Sequence, residues 1–356
     1  MARTCGLALA WCALPATGQS PGGAPNEVIL QVTARDAKGE PVTDLSRQDF
    51  QIFDEGKRQP IATFEATPAN GLPPTTLILL DFLNANLANR DYEANVIERA
   101  LEPLETGGSV YLYLLSIRGD LLAVHALPGP QPTTDRNRMG PPWTRRIRPI
   151  LNQAMQAVFQ LRPMDDRDGG VRTAASFQAL SQLADTLTPI RGPKSFIWIT
   201  AGVPNVLAYP YGCKDVSFSS RSGRYLAGRC GDKNCVITDQ KCVDYTPFLR
   251  RFSSALNRSD TVFYSVEAIF DAIPSATRGT ARDTLQQLAG LTGGRVDLSG
   301  DAGTAITQSL ETARGRYRLT VPAPTANGKY HKLRVECIRK NVRIDAPRGY
   351  LADAPQ

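Results

Sequence analysis

The spacing of apolar and polar positions divides the chain into three stretches. Between Glu27 and Arg35, Val28, Leu30, Val32 and Ala34 alternate with Ile29, Gln31, Thr33 and Arg35, which is the two-residue period of a strand with one more apolar face. Lys38-Gly39-Glu40-Pro41 reads as a turn, and Ser46 with Asp49 as the cap of a single helical turn. Phe50–Phe53 and Pro60–Phe64 flank Asp54-Glu55-Gly56-Lys57, a hairpin signal. From Thr75 the pattern changes. Leu77–Leu80 is an unbroken apolar run that ends in one carboxylate, Asp81, as expected of a strand buried on both faces. Apolar strands at Val110–Ile117, Leu121–Leu127, Phe196–Thr200, Thr261–Phe270 and Arg295–Leu298 then alternate with helical stripes. Those stripes fall at Asp91–Glu102, 147–161, Arg172–Leu187, 246–256, from Thr280 (capped with Asp283) to Gly293-Gly294, and Ala302–Ala313. The tight turn Arg118-Gly119-Asp120 makes the strand after it antiparallel to the one before. Tyr317–Pro322 and Tyr330–Leu351 return to β, with a hairpin expected at Thr325–Lys329 and Cys337 facing inward as a buried thiol.

Strands alternating with helices predict an α/β fold with a doubly wound, mostly parallel, Rossmann-like sheet. The β segments at either end of the chain have too little area to bury a face alone, so they are expected to pair as one small β-sandwich-like domain. The expected boundaries are 27–67 for the first half of the β domain, 75–314 for the α/β domain and 315–352 for the second half. Residues 204–245 form a long insertion after the Phe196–Thr200 strand, with several aromatics and four cysteines.

Composition alters this picture at three points. Arg3, an apolar run from Cys5 to Leu14 and Ala16-Thr17-Gly18 read as an export signal over 1–18, which implies a secreted, periplasmic or cell-surface protein. No later stretch is long and apolar enough to span a bilayer. The net charge is +7, but the basic residues are scattered without interleaved aromatics, so no nucleic-acid partner is expected. In an exported chain, Cys213, Cys230, Cys235 and Cys242 are expected to form disulfides, with three pairings open; there is no C-x-x-C and no neighbouring histidine to favour zinc.

The order of elements and a set of short motifs resemble a von Willebrand factor type A domain, in the exported bacterial family related to it first described in acidobacteria. The motifs are Pro41-Val42-Thr43-Asp44-Leu45, Asp49-Phe50-Gln51-Ile52-Phe53, Asp54-Glu55-Gly56-Lys57, Pro60-Ile61, Leu79-Leu80-Asp81-Phe82-Leu83-Asn84, Gly192-Pro193-Lys194-Ser195-Phe196-Ile197-Trp198 and Arg348-Gly349-Tyr350. The resemblance implies a cation site, usually magnesium, built from Asp-x-Ser-x-Ser at a strand end, a threonine from a second loop and an aspartate from a third. Here Asp81 matches and Thr173 is the threonine candidate. Leu83 and Ala85 stand at the serine positions, and Ala201-Gly202 stands where the aspartate belongs.

Hard cations need several oxygen ligands, so this set predicts a degenerate site that holds no metal. A rearranged magnesium or manganese site using Asn84 and Asn86 carbonyls beside Asp81 is the alternative. The sequence has only two histidines and lacks a Gly-x-Ser-x-Gly elbow, a His-Glu-x-x-His helix, a phosphate loop and a dinucleotide fingerprint, so no catalytic residues are assigned. The expected function is a non-catalytic protein-binding or adhesion module without a cofactor, its protein partner unidentified. The other readings are a metal-dependent adhesion domain and a structural subunit of a cell-surface assembly. No feature sets the oligomeric state.

Overall fold

Alternation in the first stretch builds strands that each turn one face inward. β1 (Glu27–Arg35), β2 (Phe50–Asp54), β3 (Lys57–Gln59) and β4 (Thr63–Ala66) arise this way. In the computed structural model, residues 27–66, 75–84, 99, 110–125, 149, 170–203, 206–207, 215–219, 224–228, 243–267, 275–298, 301–312, 315–323 and 327–352 are described. The leader, Asn86, the four cysteines of the insertion and, apart from positions 99 and 149, the helices expected at 91–102 and 147–161 lie outside these residues.

The apolar run becomes β5 (Thr75–Asp81), buried along nearly its whole length. It is followed by β6 (Val110–Leu115), β7 (Leu121–His125), α1 (Gly170–Leu187) and β8 (Lys194–Thr200). The insertion contributes β9 (Val206–Leu207), β10 (Asp215–Ser219), β11 (Arg224–Gly228) and β12 (Val243–Asp244). Then come α2 (Thr246–Arg258), β13 (Thr261–Glu267), α3 (Ser275–Thr292), β14 (Val296–Asp297) and α4 (Ala302–Thr312). Six strands form one mixed sheet in the order β14-β13-β8-β5-β6-β7. All neighbours run parallel except β7, which is antiparallel to β6. One face packs on α4 through Ala305 and Ile306, and the other on α1, α2 and α3 through Leu180, Leu249 and Leu285. Helix α3 begins at Ser275, so Thr280 lies inside it and does not cap it as expected.

β15 (Arg316–Pro322), β16 (Tyr330–Cys337), β17 (Arg343–Asp345) and β18 (Gly349–Leu351) complete the chain. They join the first four strands in two antiparallel sheets, β17-β1-β15-β4 and β18-β16-β2-β3. β1 and β15 pair along their length, from Glu27 opposite Pro322 to Thr33 opposite Arg316. Leu30, Val32, Ile52, Tyr317, Leu319 and Leu333 fill the space between the sheets.

Two local expectations fail for one reason. β15 and β16 lie in different sheets and do not form a hairpin; the hairpin at Asp54–Lys57 does form, between β2 and β3, but the Thr63-Phe64 part of its expected second arm belongs to β4 and pairs with β15. Each of these strands has a single apolar face, and facing sheets bury two such faces against each other where a hairpin would set them side by side. Cys337 is a free thiol, half-buried at the edge of this core, more exposed than its alternation implies.

The sandwich meets the mixed sheet where β8 and β13 begin, across a polar seam. Arg316, 1% exposed, donates to the Lys194 carbonyl at 2.8 Å and to Ser195 Oγ at 2.9 Å. Gln31 of β1 donates to the Asp260 carboxylate, which also lies 3.7 Å from the Arg318 guanidinium. Lys194, also 1% exposed, donates to the carbonyls of Ile190 at 2.6 Å and Gly192 at 2.8 Å. Burial pulls the Lys194 ammonium down to about 8, with Asp260 opposing and Arg316 adding to the effect.

Candidate functional site

In an open α/β sheet the ligand face lies beyond the carboxyl ends of the parallel strands. Three strand ends stand level there. Asp81 ends β5, Thr200 ends β8 one position past the Leu80–Ile199 pair, and Glu267 of β13 pairs with Thr200. Asp81 is 3% exposed and Glu267 is buried as well.

A directional chain of hydrogen bonds closes around Asp81. Asn84 donates its backbone N–H to Asp81 Oδ1 at 3.1 Å and its side-chain amide to Oδ2 at 2.7 Å. Thr200 donates its hydroxyl to the same Oδ2 at 2.7 Å while accepting the Gly202 N–H at 2.9 Å. The second proton of the Asn84 amide goes to Ser176 Oγ at 2.7 Å, and Ser176 donates in turn to the Arg172 carbonyl at 2.9 Å. Every donor in this chain has an acceptor. Burial holds the Asp81 carboxyl above its ordinary range, and the Asn84 and Thr200 donors pull it partly back. Beside it, Arg282 of α3 holds Glu267 through Nε at 3.1 Å and a terminal nitrogen at 2.6 Å.

Asp81 and Asn84 are therefore together, and Thr173 is buried one turn before Ser176 on α1. Asn86 lies outside the described residues. Ser176 and Thr200 are partners that sequence reading missed. Thr200 was legible as the last residue of a strand level with Asp81, and Ser176 as the i+3 neighbour of Thr173.

The donor set suits a closed carboxylate better than a hard cation. Leu83 turns its side chain into the core beneath the site and is 5% exposed. Ala201 offers no oxygen and is buried too. Gly202, at φ +87°, lies against α3, where an added Cβ would come 3.1 Å from the Ala281 carbonyl oxygen. Asp81 accepts three hydrogen bonds here, one at Oδ1 and two at Oδ2.

The insertion leaves from this same end of β8. Its two ends meet where Val206 pairs with Asp244 and Leu207 with Val243, and β10 and β11 form a hairpin between them.

One grouping went unseen in the sequence because its members are far apart along the chain. Asp54, Glu55 and His331 place ligand-type atoms within 4.8 Å of one another. Their hydrogen bonds explain the grouping. His331 Nδ1 lies 3.1 Å from Asp54 Oδ1, Tyr350 donates to Asp54 Oδ2 at 2.8 Å, and Glu55 accepts the Lys332 N–H at 2.6 Å. The His331 ring also stacks on Tyr350. His125 is structural as well, with Nδ1 2.6 Å from the Val110 carbonyl and its ring stacked on Tyr111.

No protein-family model matches the chain, and none of the curated proteins compared with it matches. Among solved structures, the PilB minor pilin of Streptococcus sanguinis is similar at 11% identity and a TM-score of 0.33, over 69% of this chain and 62% of that one. The pilus adhesin SpaC of Lactobacillus rhamnosus GG is similar at 11% identity and a TM-score of 0.37, over 86% of this chain and 48% of that one. The three N-terminal domains of the type V pili tip protein Mfa5 of Porphyromonas gingivalis are similar at 10% identity and a TM-score of 0.37, over 93% and 67%. The chain spans less than two thirds of the length of the first two. Among the described residues, no helix is long and apolar enough to cross a membrane.

Proposed function

We propose that the chain is an exported, non-catalytic binding module of von Willebrand factor type A design, acting in cell-surface adhesion or assembly without a bound cation. The strand order β7-β6-β5-β8-β13-β14, with Asp81 ending the central strand, supports the type A reading. The observation that carries the metal-free reading is the hydrogen-bonded closure of Asp81 by Asn84 and Thr200. Protein donors take the role that a cation would play, so recognition falls to the surface around the strand ends and to the insertion that rises there. Adhesion by buried aromatic and polar contact needs no ion.

The test is a thermal melt of the full chain with magnesium, manganese or EDTA, paired with capture of envelope proteins on beads carrying the chain. The melting midpoint should stay unchanged in all three and capture should survive EDTA. A chelator-reversible rise in the midpoint would overturn the metal-free reading. Undiminished capture after replacing 204–245 with a short linker would overturn the role given to the insertion.

A further inference from the structure

α2 and α3 meet β16 and the turn before β18 around an open cavity of about 310 Å³. Its polar wall holds Arg250 of α2, Asp283 and Gln286 of α3, and Arg348; Leu291 and the Tyr330 ring supply the apolar part. The Arg250 guanidinium lies 4.9 Å above the centre of the Tyr330 ring. Arg348 is pinned at its backbone, where its N–H donates to the Gly290 carbonyl at 2.9 Å. Its side chain crosses α3 where Gly290 leaves room, since a Cβ there would come 3.1 Å from Arg348 Nε. Among the described residues neither guanidinium is paired with a carboxylate, although both are exposed and other arginines of the chain are paired.

Two such guanidinium groups in one cavity match a planar carboxylate, which arginine grips through paired N–H donors. Asp283 changes what else can enter. One carboxylate against two cations leaves a single surplus positive charge, so a monoanion is matched and a multiply charged phosphate is opposed. Asp283 and Gln286 suit hydroxyl groups, as acceptor and as mixed donor and acceptor. The volume takes about one small ring or short chain. We propose that this cavity binds a hydroxylated monocarboxylate, of the kind presented by a uronic-acid sugar, between Arg250 and Arg348. The site is separate from Asp81 and does not depend on the reading of that site.

The full chain is titrated with sodium glucuronate, glucuronate-terminated disaccharide, acetate, methyl glucoside and phosphate at matched ionic strength, followed by melting midpoint and by calorimetry. Glucuronate should raise the midpoint saturably and bind at least about tenfold more tightly than acetate, and methyl glucoside should do nothing. The disaccharide binding at least as tightly assigns the source to glycan ends, and free glucuronate binding more tightly assigns it to a free sugar acid; either result supports the site. R250Q and R348Q should each weaken binding about tenfold. Both side chains are exposed, and circular dichroism of each variant checks that the fold is kept. Phosphate or acetate matching glucuronate would reveal a general anion sink and overturn the proposal. So would variants that bind like the parent, or no shift up to about 50 mM.

Discussion

Lys194 offers a quantitative test of the polar seam between the two parts of the molecule. Its ammonium is buried, held by two carbonyls, and titrates at about 8 instead of 10.5. At ~1.4 kcal/mol per pH unit, that displacement corresponds to about 3 kcal/mol disfavouring the charged form in the native state. Because the native value lies below the unfolded one, the native protein binds fewer protons than the unfolded chain between pH 8 and 10.5. Stability contributed by this group is therefore lowest below pH 8 and rises as pH climbs through that window. The gain is about 1 kcal/mol from pH 7 to pH 9 and about 2.5 kcal/mol by pH 10. Lys194→Met keeps the volume and removes the titration. Near pH 7 the variant should lie within about 2 kcal/mol of the parent, since two charge-assisted hydrogen bonds are lost while the burial penalty is relieved. Urea unfolding at pH 7, 8, 9 and 10, followed by tryptophan fluorescence, to which the fully buried Trp198 contributes, reads both proteins. The parent should gain on the variant steadily from pH 8. Parallel curves across that range would refute the argument, because they would mean that the native lysine titrates as it does in the unfolded chain.

The remaining predictions concern the strand-end site and the insertion. Asp81→Ala leaves the Asn84 N–H and the Thr200 hydroxyl without their acceptor and should cost about 2–4 kcal/mol in urea unfolding, with no new sensitivity to magnesium. Peptide mapping without reduction should find Cys213, Cys230, Cys235 and Cys242 joined in two disulfides, in one of the three possible pairings, and free thiols at these positions would refute the expectation.

Period and run length carried most of the architecture. The unbroken Leu77–Leu80 run could only be a strand covered on both sides, and it is the central strand of the mixed sheet. The alternation at Val28, Leu30 and Val32 identified an inward face, and those residues line or border the sandwich core. Local signals misled where the partner was distant. Thr325–Lys329 reads as a turn, yet the strands either side of it find partners in β1 and β2, which precede them by hundreds of residues. At the site, Asp81 and Asn84 were visible because they share one short turn. Ser176 and Thr200 stood at a helix position and a strand end that spacing marks, but their bonds to Asn84 and Asp81 form only where three elements converge. Lys194 and Arg316 look like surface cations in the sequence, and only the meeting of sandwich and sheet buries them.

The pairing of β1 with β15 also sets how the molecule bears mechanical load. A pull between residues 27 and 352 is borne by the two antiparallel sheets, because the strands that hold both points belong to the sandwich. The mixed sheet, spliced in between residues 66 and 315, hangs beside that line of tension. Stretching would unravel the outer strands first, while the face around Asp81 keeps its shape until they give way.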